Sequence, residues 1–145
     1  MDLKGFSLAG TALLVIAAIG ILLRHALLAV GPVAIAIQIV AVLLMIWARL
    51  TFGLRSFHAS ANPTEGGLVT TGPYRYLRHP IYAAILYFFW ATIASHWGVI
   101  NALLGVAATV GAAIRIFAEE RLVVARYPEY AAYAARTKRI IPFFV

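Results

Sequence analysis

Cysteine is absent from the 145-residue chain. Its absence removes disulfides, thiolate metal sites and a cysteine nucleophile together. Charge is scarce as well: 12% of the residues are charged and 63% are hydrophobic, well above the balance of a soluble domain. So little polar surface cannot coat a water-soluble globule of one domain's length. Acidic residues are the scarcest, five Asp and Glu against twelve Lys and Arg. A net charge of +7 on a polar domain would raise nucleic acid as a partner. Here the basic residues flank apolar runs, a pattern of membrane topology, and no nucleic acid partner is expected. Neither a Gly-x-Gly-x-x-Gly stretch nor a βαβ pattern occurs, which excludes a soluble Rossmann-type nucleotide site. His25, His58, His79 and His96 have neither metal-ligand spacing nor a nearby carboxylate set, so no metal is expected. The first apolar run is too long for a signal h-region, so no cleavable signal peptide is expected either.

What the chain does have is long uncharged sequence. Gly5 to Leu23 carries no charge and is long enough to cross a core of roughly 30 Å at about 1.5 Å per residue. Ala26 to Ala48 is a second such run, closed by Arg49, with Gly31-Pro32 near its start marking a turn. Pro80 to Ile114 runs 35 residues without a formal charge. One helix of that length would reach roughly 50 Å, too long for one crossing. His96-Trp97-Gly98, a polar ring, an interfacial aromatic and a helix breaker, divides it as a hairpin tip. The expectation is a single-domain, all-α integral membrane protein of about four spans, 5–23, 26–48, 80–96 and 98–118. A loop at 49–79 and a tail at 119–145 complete it, and the last two spans form a helical hairpin. With four spans the N-terminus, loop and tail share one face. That face holds eleven of the twelve Lys and Arg residues and Arg24 alone lies on the other, so the crowded face is expected to be cytoplasmic. In the tail, Pro128 fits a first helical position, and Tyr130, Tyr133 and Thr137 fall on one helical face. Gly105, Ala108 and Ala112 form a small-residue stripe that reads as helix packing.

Two polar constellations interrupt the apolar background. The first is GPYRYLRHPIY, Gly72 to Tyr82. Pro80 suits the first position of a helix and holds His79 outside it, with Tyr82 in the first turn. A helix N-terminus favours anions, and Arg75 and Arg78 reinforce it. The rings of Tyr74, Tyr76 and Tyr82 suit a cation or a flat heterocycle. A ligand with both a carboxylate and a positive centre matches this mixture, although interfacial anchoring accounts for the same residue types. The second is Ala118-Glu119-Glu120-Arg121-Leu122. A carboxylate at the hydrocarbon edge costs roughly 2–3 kcal/mol if deep, so it has a partner or a role. Adjacent helical residues point about 100° apart, so one of the two is expected to face a site while the other meets solvent or pairs with Arg115 or Arg121. A structural ion cluster with Arg115 is the competing reading.

The two constellations and the tail PEYAAYAARTKRIIPFF together resemble the isoprenylcysteine carboxyl methyltransferase family, which is grouped with the phospholipid methyltransferases. The shared pattern is Arg78-His79-Pro80-Ile81-Tyr82, then Glu119-Glu120-Arg121-Leu122, then Tyr130, Tyr133, Arg136, Arg139 and Pro142, within Leu68 to Phe144. The resemblance implies S-adenosylmethionine (SAM) as methyl donor and a lipophilic acceptor arriving from the bilayer. It places His79, Pro80 and Tyr82 against the cofactor, with Tyr74 and Arg78 from the same stretch. One of Glu119 and Glu120 would hold the adenosine part, with Tyr130 and Tyr133 lining the pocket. Arg136 and Arg139 would face a carboxylate of acceptor or cofactor. An amine acceptor would instead call for Glu119 or Glu120 beside it. A non-enzymatic four-helix membrane subunit and a nicotinamide-dependent membrane reductase are the alternatives that cofactor binding separates.

Overall fold

The computed structural model describes residues 2–53 and 67–143. The chain forms α1 (Leu3–Leu23), α2 (Pro32–Phe52), α3 (Pro80–Ser95), α4 (Val99–Arg126) and α5 (Tyr130–Arg136), with a 3-10 turn at Gly72–Arg75. No strand occurs among the described residues, only a single bridge between Leu77 and Lys138. The polar beginning of the 49–79 loop, with Arg55 and His58, lies outside the described residues, as does Phe144.

Helices α1, α2 and α4 are long and apolar enough to cross a membrane. α3 is apolar too but has 16 residues, about 24 Å of helix against a hydrocarbon core of about 30 Å. α2 begins at Pro32, with Gly31 at φ 92° as its cap, rather than where the uncharged run begins. Proline at the first position sets this start, and Ala26 and Ala29 are buried in the connection ahead of it, whose Leu28 and Val30 are exposed. α3 and α4 meet at His96–Gly98, the tip read from sequence. α4 continues to Arg126, about two turns past the expected end of the span at 118. α5 begins at Tyr130 with Glu129 as cap, so Pro128 lies in the preceding turn and not at the first helical position.

α1 packs along α4, α3 meets α4, and α2 packs along α3, which orders the helices α1, α4, α3, α2. Small residues set the α1–α4 distance. A Cβ on Gly111 would lie 2.7 Å from the Gly10 carbonyl oxygen, and one on Gly10 2.8 Å from that of Gly111. On another side of α4, Ala108 and Ala112 are fully buried, and Gly105 lies against Ile93 and Trp90 of α3. The packing stripe therefore faces α3, while Gly111 serves α1. Gly111→Ala is expected to cost about 1–3 kcal/mol by overpacking, because the obstructing atom is backbone. A lowered thermal midpoint in detergent checks this, and an unchanged midpoint would show that α1 is not seated there.

At the far end from the Glu pair, buried Gln38 closes the turn before α2. Its amide donates to the Thr92 hydroxyl at 2.7 Å and the Leu27 carbonyl at 3.0 Å, and accepts from Ala29 N at 2.9 Å. A side-chain amide in an apolar bundle needs such satisfaction. Its effect is to fix α2 against α3.

Candidate functional site

The site forms where the start of α3, the end of α4 and the tail meet. Pro80 opens α3, and His79 sits outside the helix at φ −127°, ψ 57°. Gly72 turns the chain toward it at φ 56°, a conformation that favours glycine, and a Cβ there would lie 2.5 Å from Thr51 Oγ1 of α2. The stretch 76–79 then pairs with the tail. Arg78 N donates to the Lys138 carbonyl at 2.6 Å, His79 N to that of Arg139 at 3.0 Å, and Lys138 N to that of Tyr76 at 3.1 Å. Arg78 reinforces the junction through its side chain. Its Nη1 donates to the carbonyls of Ala134 (2.7 Å) and Thr137 (2.6 Å), which satisfies carbonyls left open at the end of α5. The Tyr133 hydroxyl donates to the Tyr74 carbonyl at 2.7 Å, and that of Tyr87 to the Ile140 carbonyl.

Two carboxylates from α4 point into this junction. Glu120 accepts from Arg78 Nε (3.2 Å), the Tyr130 hydroxyl (3.3 Å) and Arg139 Nε and Nη2 (3.2 and 3.1 Å), and its Oε1 lies 3.2 Å from His79 Nε2. Glu119 accepts from the Tyr82 hydroxyl at 2.5 Å and from Arg115 Nη2 at 2.9 Å, and its Oε2 lies 3.8 Å from His79 Nδ1. His79 is thus wedged between both carboxylates, one at each ring nitrogen. Glu119 pairs with Arg115, as expected for one of the two glutamates, while Glu120 takes the contacts from Arg78 and the tail. The side chains diverge by helical geometry, but His79 bridges the gap between them.

Tyr82 and Tyr130 donate to the carboxylates, and Tyr133 donates beside them to the Tyr74 carbonyl. Burial pushes Tyr133 up to about 12. Burial, and then the neighbouring Glu120 charge, raises Tyr130 as well. Both keep their protons at neutral pH. Arg139 is raised by its hydrogen bond to Glu120, but its side chain is 51% exposed. It closes the cluster from the solvent side.

Not every expected residue joins the cluster. The Tyr74 ring packs on Phe52 at 5.4 Å between centroids, so its contribution to the junction is its carbonyl. Arg75 and Tyr76 are exposed. Arg136 is exposed too and donates from Nε to the Ala132 carbonyl one turn back in its own helix, at 3.3 Å. Two residues enter that were not singled out as site residues. Arg115 Nε donates to the Tyr82 hydroxyl at 2.5 Å and Nη1 to the Thr11 hydroxyl of α1. The four-residue spacing of Arg115 and Glu119 signalled their pairing. Nothing in the sequence marked Thr11.

A groove of about 520 Å³ runs between α2 and α3, lined by residues that include Val33, Ile37, Tyr87, Trp90 and Ala94. Its lining is almost wholly apolar, and with Gly31, Pro32 and Ser95 among it the groove lies toward the Gln38–Thr92 end of the bundle, away from the Glu pair.

Comparison with known proteins gives one result. Neither curated proteins nor solved structures returned a match. The model of the phospholipid methyltransferase family matches residues 26–130. That segment spans well over half of the chain and contains both constellations, and it stops short of the Tyr133 and Arg139 part of the tail. With membrane-length helices and the motif residues gathered at one bundle end, the chain belongs to the phospholipid methyltransferase family, a family of membrane methyltransferases.

Proposed function

We propose that the protein is a SAM-dependent methyltransferase of the membrane, acting on a lipophilic acceptor, with α3 as a fourth span and both termini cytoplasmic. The observation that carries this reading is the convergence of His79, Tyr82, Glu119, Glu120, Tyr130 and Arg139 from three chain segments into one cluster. Its donor set fits SAM. Carboxylates accept from ribose hydroxyls and from an ammonium group, a guanidinium pairs with a carboxylate, and tyrosine faces favour a cationic centre. The crowded basic face supports the orientation. A short α3 is accommodated by local thinning of the bilayer.

Bound SAM would supply an electrophilic methyl group on a sulfonium, already activated, so the protein needs no covalent intermediate. The residues have to bind, orient and exclude water. Arg139 is the member most easily displaced, because an exposed ion pair is worth only about 0–1 kcal/mol. Its guanidinium is then available to a carboxylate of cofactor or acceptor. Tyr74 and Arg78 act by holding the tail over the cluster rather than by contact, and Arg136 is left outside. For an amine acceptor, as the family's phospholipid name suggests, Glu119 or Glu120 supplies the counter-charge. For a carboxylate acceptor, Arg139 supplies it.

Calorimetric titration of the purified protein with SAM and with S-adenosylhomocysteine tests this reading. One-site binding that His79→Ala weakens about tenfold, the loss of one hydrogen bond to a charged group, is the expected result. Folded protein that binds neither ligand would return the cluster to a structural role and favour the scaffold or the reductase. Incubation with labelled SAM and vesicles of phosphatidylethanolamine, or with a prenylated cysteine, then separates N- from O-methylation.

A further inference from the structure

We propose that Thr11 and Arg115 form a positioning relay by which α1 sets the Tyr82 hydroxyl and the Glu119 carboxylate for the cofactor site; this rests on the methyltransferase reading. α1 lies outside the family-matched segment 26–130, so the family match does not assign it a share in the site.

The geometry is over-determined. The Arg115 side chain is 8% exposed, although α4 runs on to the exposed Arg121 and Arg126. It turns inward instead of extending toward the basic face, as a long cationic side chain near a helix end otherwise does. A guanidinium is a rigid plane with its donors in fixed directions. Here Nε is held by Tyr82, Nη1 by Thr11 and Nη2 by Glu119. Tyr82 in turn donates to the Glu119 oxygen that Arg115 Nη2 also binds, at 2.5 Å. With Arg115 Nε supplying its incoming hydrogen bond, the phenolic proton is directed to Glu119. That leaves Glu119 Oε2 toward His79.

Thr11 is suited to anchor this plane. Its own hydroxyl proton is committed to the Ser7 carbonyl one turn back, at 3.2 Å, which leaves its lone pairs for Arg115. The Gly10–Gly111 backbone contact brings it close enough. α1 is already seated on α4 by that contact, by Phe6 on Phe117, and by Gly20 against Leu104. The hydroxyl is therefore not required for packing. What it fixes is the rotation of the guanidinium, and through it two groups of the site.

The test uses the full chain in detergent, with SAM and S-adenosylhomocysteine titrated into wild type, Thr11→Val, Thr11→Ser, Tyr82→Phe and the Thr11→Val/Tyr82→Phe double variant. Thr11→Val keeps the volume and removes the hydroxyl. It is expected to weaken binding about tenfold, the scale of a displaced positioning group, with the thermal midpoint little changed. Thr11→Ser is expected to restore wild-type affinity. In the Tyr82→Phe background Thr11→Val should add little, because the two residues act through one path. Wild-type affinity in Thr11→Val, or losses that add in full, would overturn the relay. So would a Thr11→Val protein that unfolds while Thr11→Ser stays native, since the hydroxyl would then be structural. Wild-type protein that binds neither ligand overturns the methyltransferase reading first and the relay with it, a result distinct from wild-type binding that Thr11→Val leaves intact.

Discussion

A Glu120→Gln variant is expected to bind SAM about 30-fold more weakly than wild type, which corresponds to about 2 kcal/mol, the worth of a hydrogen bond to a charged partner. Glu120 is where the chain's segments meet, since it accepts from Arg78, Tyr130 and Arg139 and lies beside His79. Glutamine keeps the shape but replaces one acceptor oxygen with a donor. It would then confront Arg139 or His79 with a like group. Glu119→Gln is expected to behave differently. Its partners Tyr82 and Arg115 are buried, so it lowers thermal stability more and cofactor affinity less. Side-by-side titration and thermal melts of the two variants decide the point. Equal, negligible losses of affinity would remove both glutamates from the cofactor site.

That contrast between neighbouring glutamates was only partly legible in the sequence. The Arg78-His79-Pro80 start of α3 was readable, because proline fixes where a helix begins. So was the tail face of Tyr130, Tyr133 and Thr137, all three buried, since a helical spacing of three and four is a strong signal. The end of α4 was not. Glu119, Glu120 and Arg121 look like the end of a span, but a charged turn stops an apolar stretch without stopping a helix, and α4 runs on to Arg126. The pairing of 76–79 with 138–139 was hidden because backbone bonds leave no residue signature. Thr11 was hidden for a related reason. A lone threonine in an apolar helix ordinarily returns its hydroxyl to its own backbone, and this one does so while also accepting from Arg115. Gln38 was equally silent, since its burial depends on Thr92, 54 positions away.

Arg115→Met is expected to cost about 3 kcal/mol of stability, the lower end of the range for a buried ion pair that loses one member. The lower end applies because the Glu119 side chain is 25% exposed, so water compensates part of the stranded charge. The double variant Arg115→Met/Glu119→Leu should recover part of that loss, because it leaves no stranded charge, only the buried Tyr82 hydroxyl without its two partners. Chemical or thermal unfolding in detergent measures both. Binding of SAM should not return with stability, since the Tyr82 hydroxyl has lost both of its partners and the side of His79 that faced Glu119 has lost its carboxylate. This separation decides between the two readings of the same cluster. An ion network present only to hold α1, α3 and α4 together would be replaceable by apolar side chains with nothing else lost. A network that also sets the site would yield a stable protein without affinity. A double variant as unstable as Arg115→Met alone would locate the cost in lost packing of the arginine stem rather than in the stranded carboxylate.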